Sequence, residues 1–261
     1  DHGYKVDADK EYLVTYISAL EEWLVSELQY RNADHFIFGV SGGVDSAVIA
    51  FLLKRQFKDQ TIGVMMPSHS HPDDLEDAKL VMESAGLNYH IVDLTKTHDA
   101  LMEAVGDAYN HTGDIAKDRV ISGNNSARLR MTTLYTIAQT RNGIVVGTDN
   151  AVEWYTGYFT KFGDGGVDIA PLIHLDKDEI FELARILGVP LSIIEKKPSA
   201  GLWEAQTDED EMGVTYRALN HHLRGGAVTP HELERIQYWH ERSHHKRAMP
   251  RFPKAPVREL D

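Results

Sequence analysis

His35-Phe36-Ile37-Phe38-Gly39-Val40-Ser41-Gly42-Gly43-Val44-Asp45-Ser46 is a short apolar run that breaks into small residues and then an acid. The apolar part reads as a buried strand, and the residues from Ala47 onward read as a helix over 47–57. A loop of serines and glycines between a strand and a helix lets backbone N–H groups approach an anion closely. The following helix adds its first-turn N–H groups and its positive dipole end. Ser41 and Ser46 supply hydroxyl donors, so the stretch suits phosphate. It is not a Walker A loop, because no Gly-Lys-Ser/Thr follows. Asp45 would repel phosphate unless a cation lay between them, so the loop predicts Mg2+. The plain structural alternative is a tight turn with Asp45 as a helix-start acid.

Outward from this loop, strands and helices alternate. Asp9 caps a predicted helix over 10–29, with Leu13, Ile17, Leu20, Leu24 and Leu28 on one face. Beyond the loop come a strand over 61–66 stopped by Pro67, a helix over 72–85 closed by Gly86, and a strand over 88–93. Helices over 97–109 and 124–140 and a strand over 143–147 follow. This order predicts an α/β fold with an open parallel sheet and helices on both faces. The Gly- and Asp-rich stretch 160–169 is expected as loop. Asp176 and Glu179 form a capping box for a helix over 177–187, ended by Gly188 and Pro190. The stretch 194–207 is polar, Asp208 and Glu211 open one more helix, and Thr229-Pro230-His231-Glu232 opens another. The tail 250–256 is expected to be extended. No repeat or linker interrupts the chain, so 1–261 reads as one domain.

Composition narrows the function. The 261 residues carry 27 basic and 40 acidic side chains, a formal net charge of −13. That charge repels nucleic acid at long range and leaves room only for a local anion pocket. There is no cysteine, which removes disulfides, thiolate metal sites and thiol catalysis and points to the cytoplasm. No apolar run is long enough to span a membrane, and Asp1–Tyr4 lacks a signal-peptide core. The pair His221-His222 reads as exposed helix surface.

Ser41-Gly42-Gly43-x-Asp45-Ser46 resembles the pyrophosphate loop of the N-type ATP pyrophosphatases. Five further stretches, in order over nearly the whole chain, narrow the resemblance to the ammonia-dependent NAD synthetases. They are Gly123-Asn124 with Ala127-Arg128 and Arg130-Met131; Gly147-Thr148-Asp149-Asn150 with Glu153; Thr160-Lys161-Phe162-Gly163-Asp164-Gly165-Gly166 with Asp168; Lys197-Pro198-Ser199-Ala200 with Gln206-Thr207-Asp208-Glu209; and His245-Lys246-Arg247.

The resemblance implies a Rossmann-like sheet of the adenine nucleotide alpha hydrolase type. It implies amidation of deamido-NAD to NAD by ammonia and ATP, through an NAD-adenylate, with release of AMP and pyrophosphate. ATP falls to Ser41, Gly42, Gly43, Val44, Asp45, Ser46, Thr148, Lys177 and Ser199, and Mg2+ to Asp45 and Glu153. Deamido-NAD falls to Arg128, Lys161, Asp168, His245 and Lys246, and Asp164 to the ammonia site. The catalytic set is then Asp45, Glu153, Lys177 and Asp164. Ser199 stands where the family often has threonine. A homodimer is also implied, as are two candidate lids over 68–77 and 195–210.

Local sequence gives plainer readings for several of these. Lys177 looks like first-turn surface. Lys161, Asp164 and Asp168 look like a solvated turn, Thr148 and Glu153 like a helix cap and its first-turn acid, and Arg130 like a structural partner. His245 and Lys246 lie in a basic cluster over 242–251 that suits either an anion or solvent. Glutamine use in the family needs a nitrilase-like domain with a cysteine, so free ammonia is expected. Two alternatives share the loop: another amidotransferase such as GMP synthetase, and a non-catalytic adenine-nucleotide-binding module.

Overall fold

Alternate residues of the first strand, His35–Gly39 (β1), serve two different cores, which is why the run reads as continuously apolar. A computed structural model describes residues 7–196 and 208–255. Before β1 lies α1 (Lys10–Arg31). After it come α2 (Val44–Leu53), β2 (Thr61–Met65), α3 (Pro72–Ala85), β3 (Asn88–Ile91), α4 (Thr95–Val105), α5 (Ile115–Thr140) and β4 (Gly143–Val145). The remaining helices are α6 (Ala151–Thr156), α7 (Lys177–Leu187), α8 (Leu191–Ile194), α9 (Asp208–Met212), α10 (Tyr216–Leu223) and α11 (Pro230–Arg242).

All strand pairings are parallel, in the order β3-β2-β1-β4. Phe36, Phe38, Met65 and Ile144 point to the layer of α1, α2, α3 and α7. Ile37, Val64 and Val145 point the other way, toward Leu134 and Ala138 of α5. The open parallel sheet with helices on both faces is therefore present. A separate apolar cluster joins Val152 of α6 to Met212, Tyr216, Leu219 and Ile236 of the C-terminal helices.

Several boundaries differ from the sequence reading. α2 starts at Val44, three residues early, so Asp45 stands in its first turn. Gly43 is the extended N-cap residue, and the helix needs no apolar periodicity to begin there. α5 starts at Ile115, because Asp114 caps it by accepting from the N–H groups of Ala116 and Lys117. The helix expected from Asp208 is broken at Gly213, whose φ of 68° ends α9 and allows Thr215 to cap α10. His221 and His222 are half-buried, with His222 edge-on to Tyr155, so they are not plain surface. Residues 72–77 of the first expected lid belong to α3. Most of the second, and Ser199, lie outside the described residues.

Candidate active site

The Ser-Gly-Gly loop is short because α2 begins so soon after β1. Gly42 has φ of 84°, and a Cβ there would lie 2.7 Å from the Asp74 carbonyl oxygen of α3. Only glycine fits both the backbone and the space. The Gly43 N–H donates to Ser41 Oγ and the Ser41 N–H to Ser46 Oγ, each at 3.2 Å. The two hydroxyls also meet at 3.2 Å. These neutral bonds hold the loop open-mouthed, and phosphate oxygens would compete for the same donors.

Asp45 projects from the first turn of α2 to Lys177 at the start of α7. Lys177 Nζ donates to Asp45 Oδ2 at 2.6 Å and lies 4.0 Å from Glu153 Oε1. Lys177 is 3% exposed, so the surface reading of that lysine is overturned. Its burial comes from the packing of α7 on α2, which a capping box gives no sign of. Burial works against its charge, but Asp45 and then Glu153 outweigh that, and its pKa is raised. Glu153 shows the opposite balance. Burial and then the Asp45 carboxylate push it up to about 8, against the pull of Lys177.

Asn150 holds the pair in register. Its Nδ2 donates to Asp45 Oδ1 at 2.9 Å, its Oδ1 accepts from the N–H groups of Val152 and Glu153, and its own N–H donates to Glu153 Oε2. One fully buried side chain thus caps α6 and ties both carboxylates together. Asp208 is a further acid that sequence reasoning did not place here. It is 5% exposed, its Oδ2 accepts from Tyr216 at 2.7 Å, and its Oδ1 has no partner among the described residues. Its charge supports Lys177 and raises Glu153. Two hard oxygen donors that already share one cation, beside a phosphate loop, fit Mg2+.

A second group of candidates lies around the 157–165 turns. Asp149 is buried, and burial followed by the nearby Asp164 carboxylate pushes it well up. Asp164 is exposed at its surface, yet the protein packed around it desolvates the carboxyl and raises it too. Its Oδ1 also accepts from the Thr160 N–H at 2.7 Å. Lys246 Nζ donates to the carbonyls of Gly157, at 2.7 Å, and Phe159. Its charge acts on Asp149 and Asp164. Lys161 Nζ lies 3.3 Å from His245 Nδ1, and Arg128 Nε donates to the Lys161 carbonyl at 3.2 Å. Arg128, Lys161 and His245 therefore meet, although 33 to 117 positions separate them in sequence.

Asp168 and Arg130 both make bonds that hold the fold. Asp168 accepts from Tyr135 at 3.2 Å and from the Val145 N–H at 2.8 Å, so both its oxygens pin the edge of β4. Arg130 donates to the Met66 carbonyl at 2.9 Å and to Ser70 Oγ at 3.3 Å, which makes it the anchor of the loop after β2. Thr148 is half-buried just past β4, at the carboxyl ends of the strands where ligands of open α/β sheets bind.

A family model described as NAD synthase matches residues 16–250. The NH3-dependent NAD+ synthetase of Mannheimia succiniciproducens is 46% identical over 242 residues, 92% of this chain and 96% of that protein. Among solved structures, the NMN synthetase from Francisella tularensis is 42% identical with a TM-score of 0.87, over 93% of this chain and 99% of that one. The NH3-dependent NAD synthetase from Campylobacter jejuni is 27% identical with a TM-score of 0.75, over the same shares of each.

Proposed function

This chain belongs to the NAD synthase family, and on that premise we propose that it adenylates the nicotinate carboxylate of deamido-NAD and hands the activated carbonyl to ammonia. It is an ATP-using, ammonia-dependent carbon–nitrogen ligase of NAD biosynthesis. The observation that carries the mechanism is the convergence of Asp45, Glu153 and Lys177 at the mouth of the Ser-Gly-Gly loop.

In this reading the loop N–H groups, Ser41 and Ser46 hold the β- and γ-phosphates. The substrate carboxylate attacks the α-phosphorus, the bond to the bridging oxygen breaks, and pyrophosphate leaves. Lys177 stabilises the growing charge on that leaving group, a role that a fixed buried cation performs well. Asp45 and Glu153 would hold Mg2+, which would supply further neutralisation of phosphate charge. Asp164, with Asp149 behind it, accepts a proton from ammonium. The free ammonia attacks the carbonyl carbon, AMP leaves with both electrons of the cleaved C–O bond, and the new amide nitrogen releases its extra proton to solvent. Arg128, Lys161 and His245 receive the anionic dinucleotide, and Lys246 shapes the turn beside them.

Two copies form the working unit in this reading. α4 and α5 expose the apolar side chains Leu101, Val105, Ile115 and Ile121, which a second copy would cover. Sedimentation at a monomer mass would remove that element. A cytoplasmic setting belongs to the same reading. Among the described residues no helix is long and apolar enough to cross a membrane.

A second reading concerns the acceptor. The Francisella protein, 42% identical, is named for NMN, whereas the Campylobacter NAD synthetase is 27% identical. A mononucleotide acceptor, nicotinate mononucleotide, would keep the same carboxylate chemistry and dispense with the adenosine half. Side-by-side kcat/KM values for the two acceptors, with NAD or NMN, AMP and pyrophosphate all quantified, decide it. Equal yields of NAD, AMP and pyrophosphate with deamido-NAD preferred support the main reading. Preference for the mononucleotide replaces the substrate and keeps the mechanism. Pyrophosphate from neither acceptor defeats both.

A further inference from the structure

Outside this site, three ligand atoms converge where β2 and β3 end. His69, in the loop after β2, places Nε2 2.6 Å from Oδ1 of Asp99 on α4. His98, on the same helix, places Nδ1 3.3 Å from that same oxygen. One donor atom from each of the three lies within 4.8 Å of the other two. Among the described residues no other trio of histidines and carboxylates meets that condition.

The trio is fixed from outside. His98 is 5% exposed, and its other ring nitrogen, Nε2, meets Ser122 Oγ of α5 at 3.0 Å. That contact orients the ring with Nδ1 toward Asp99, as outer partners orient metal-bound imidazoles. Asp99 needs only one charged imidazole to form an ion pair. Here a second imidazole, held by an independent neighbour, converges on the same carboxylate oxygen. A tetrahedral ion with bonds of about 2.0–2.1 Å keeps its ligand atoms about 3.3–3.4 Å apart. The two separations from Asp99, 2.6 and 3.3 Å, need only a small spreading to admit one, and the two imidazole nitrogens lie within 4.8 Å of each other. His69 has φ of 52°, on a loop whose neighbour Ser70 is held by Arg130, so its ring is presented by a constrained turn.

We propose that His69, His98 and Asp99 bind a divalent transition metal of the zinc class, with a fourth position open to water. The ion would tie the loop after β2 to α4, one strand away from the phosphate loop. Two imidazole nitrogens with one carboxylate suit zinc, cobalt or nickel, whereas Asp45 and Glu153 offer oxygen alone and suit Mg2+. The two sites are thus separable by ligand chemistry, and this inference stands apart from the choice of substrate.

The test uses tag-free, chelator-stripped full-length protein titrated with Co2+ in excess Mg2+. One equivalent should bind and give the intense visible absorption of four-coordinate Co2+, and Zn2+ should displace it. His69→Ala and Asp99→Asn alter exposed side chains and should weaken binding by at least about tenfold. Asp45→Asn should leave the spectrum unchanged. Melting temperature with and without Zn2+ provides a second readout, with a metal-induced rise in the parent that His69→Ala abolishes. A pale six-coordinate spectrum would overturn the proposal. So would equal affinity in the parent and both variants.

Discussion

The two ends of the site are built differently. At the phosphate end Asp45, Glu153 and Lys177 each stand in the first turn of a packed helix, and Asn150 locks two of them at once. At the end proposed to receive the acceptor, Arg128 and His245 are exposed and joined to Lys161 by single contacts of 3.2 and 3.3 Å. Buried, crossed bonds fix groups that must meet developing charge without reorganising. Exposed cations on long side chains can adjust to a ligand at small energetic cost, and they set affinity more than rate.

The largest effect should follow Asp45→Asn. It removes charge from the cation site and disrupts the Lys177 pair, and kcat should fall by at least about a thousandfold. Substrate binding measured by calorimetry should change much less. An equal loss in both would erase the contrast between the two ends.

Lys177→Met sharpens it further. Without its ammonium, Asp45 loses the cation it is paired with inside the protein, which is strongly unfavourable. The variant should melt lower than the parent without metal and regain most of that loss in Mg2+, while kcat stays down by about a hundredfold or more. No rescue by Mg2+ would mean that the lysine and the metal do not share one pocket.

Glu153 predicts a pH dependence. Its carboxyl is pushed up to about 8, so without metal the folded protein keeps that proton where the unfolded chain, near 4.5, has lost it. The contribution of this group to stability is complete below 4.5 and is lost as pH rises through about 8. Only the ionised form holds a cation, so apparent Mg2+ affinity should rise roughly tenfold per pH unit up to that value. Glu153→Gln should flatten the profile. A flat profile in the parent would remove Glu153 from the cation site.

The smallest effect belongs to the open end. Arg128→Ala and Lys161→Ala should each raise KM for the acceptor by about tenfold and change kcat little. If deamido-NAD and nicotinate mononucleotide suffer equally, these residues meet the half that the two acceptors share.

Much of this was legible because it is local. The apolar run to Val40, the small-residue loop and the caps at Asp9, Asp176 and Thr229 act within a few residues, and each appears where sequence places it. The burial of Lys177 was not, because it depends on α7 docking on α2. Asn150 reads as an ordinary cap, and nothing nearby reveals that its amide reaches Asp45, 105 positions away. Asp208 reads as a helix-start acid until Tyr216 and Lys177 fold over it. Asp168 reads locally as part of a solvated turn, and instead it holds the edge of β4 through a backbone N–H 23 positions away.

In the proposed mechanism the acceptor is adenylated before it is amidated. Exchange of labelled pyrophosphate into ATP, with acceptor present and ammonia absent, tests it most directly. Exchange should require acceptor and Mg2+ and should disappear in Asp45→Asn. Amide formation without any such exchange, or exchange that needs no acceptor, would contradict it.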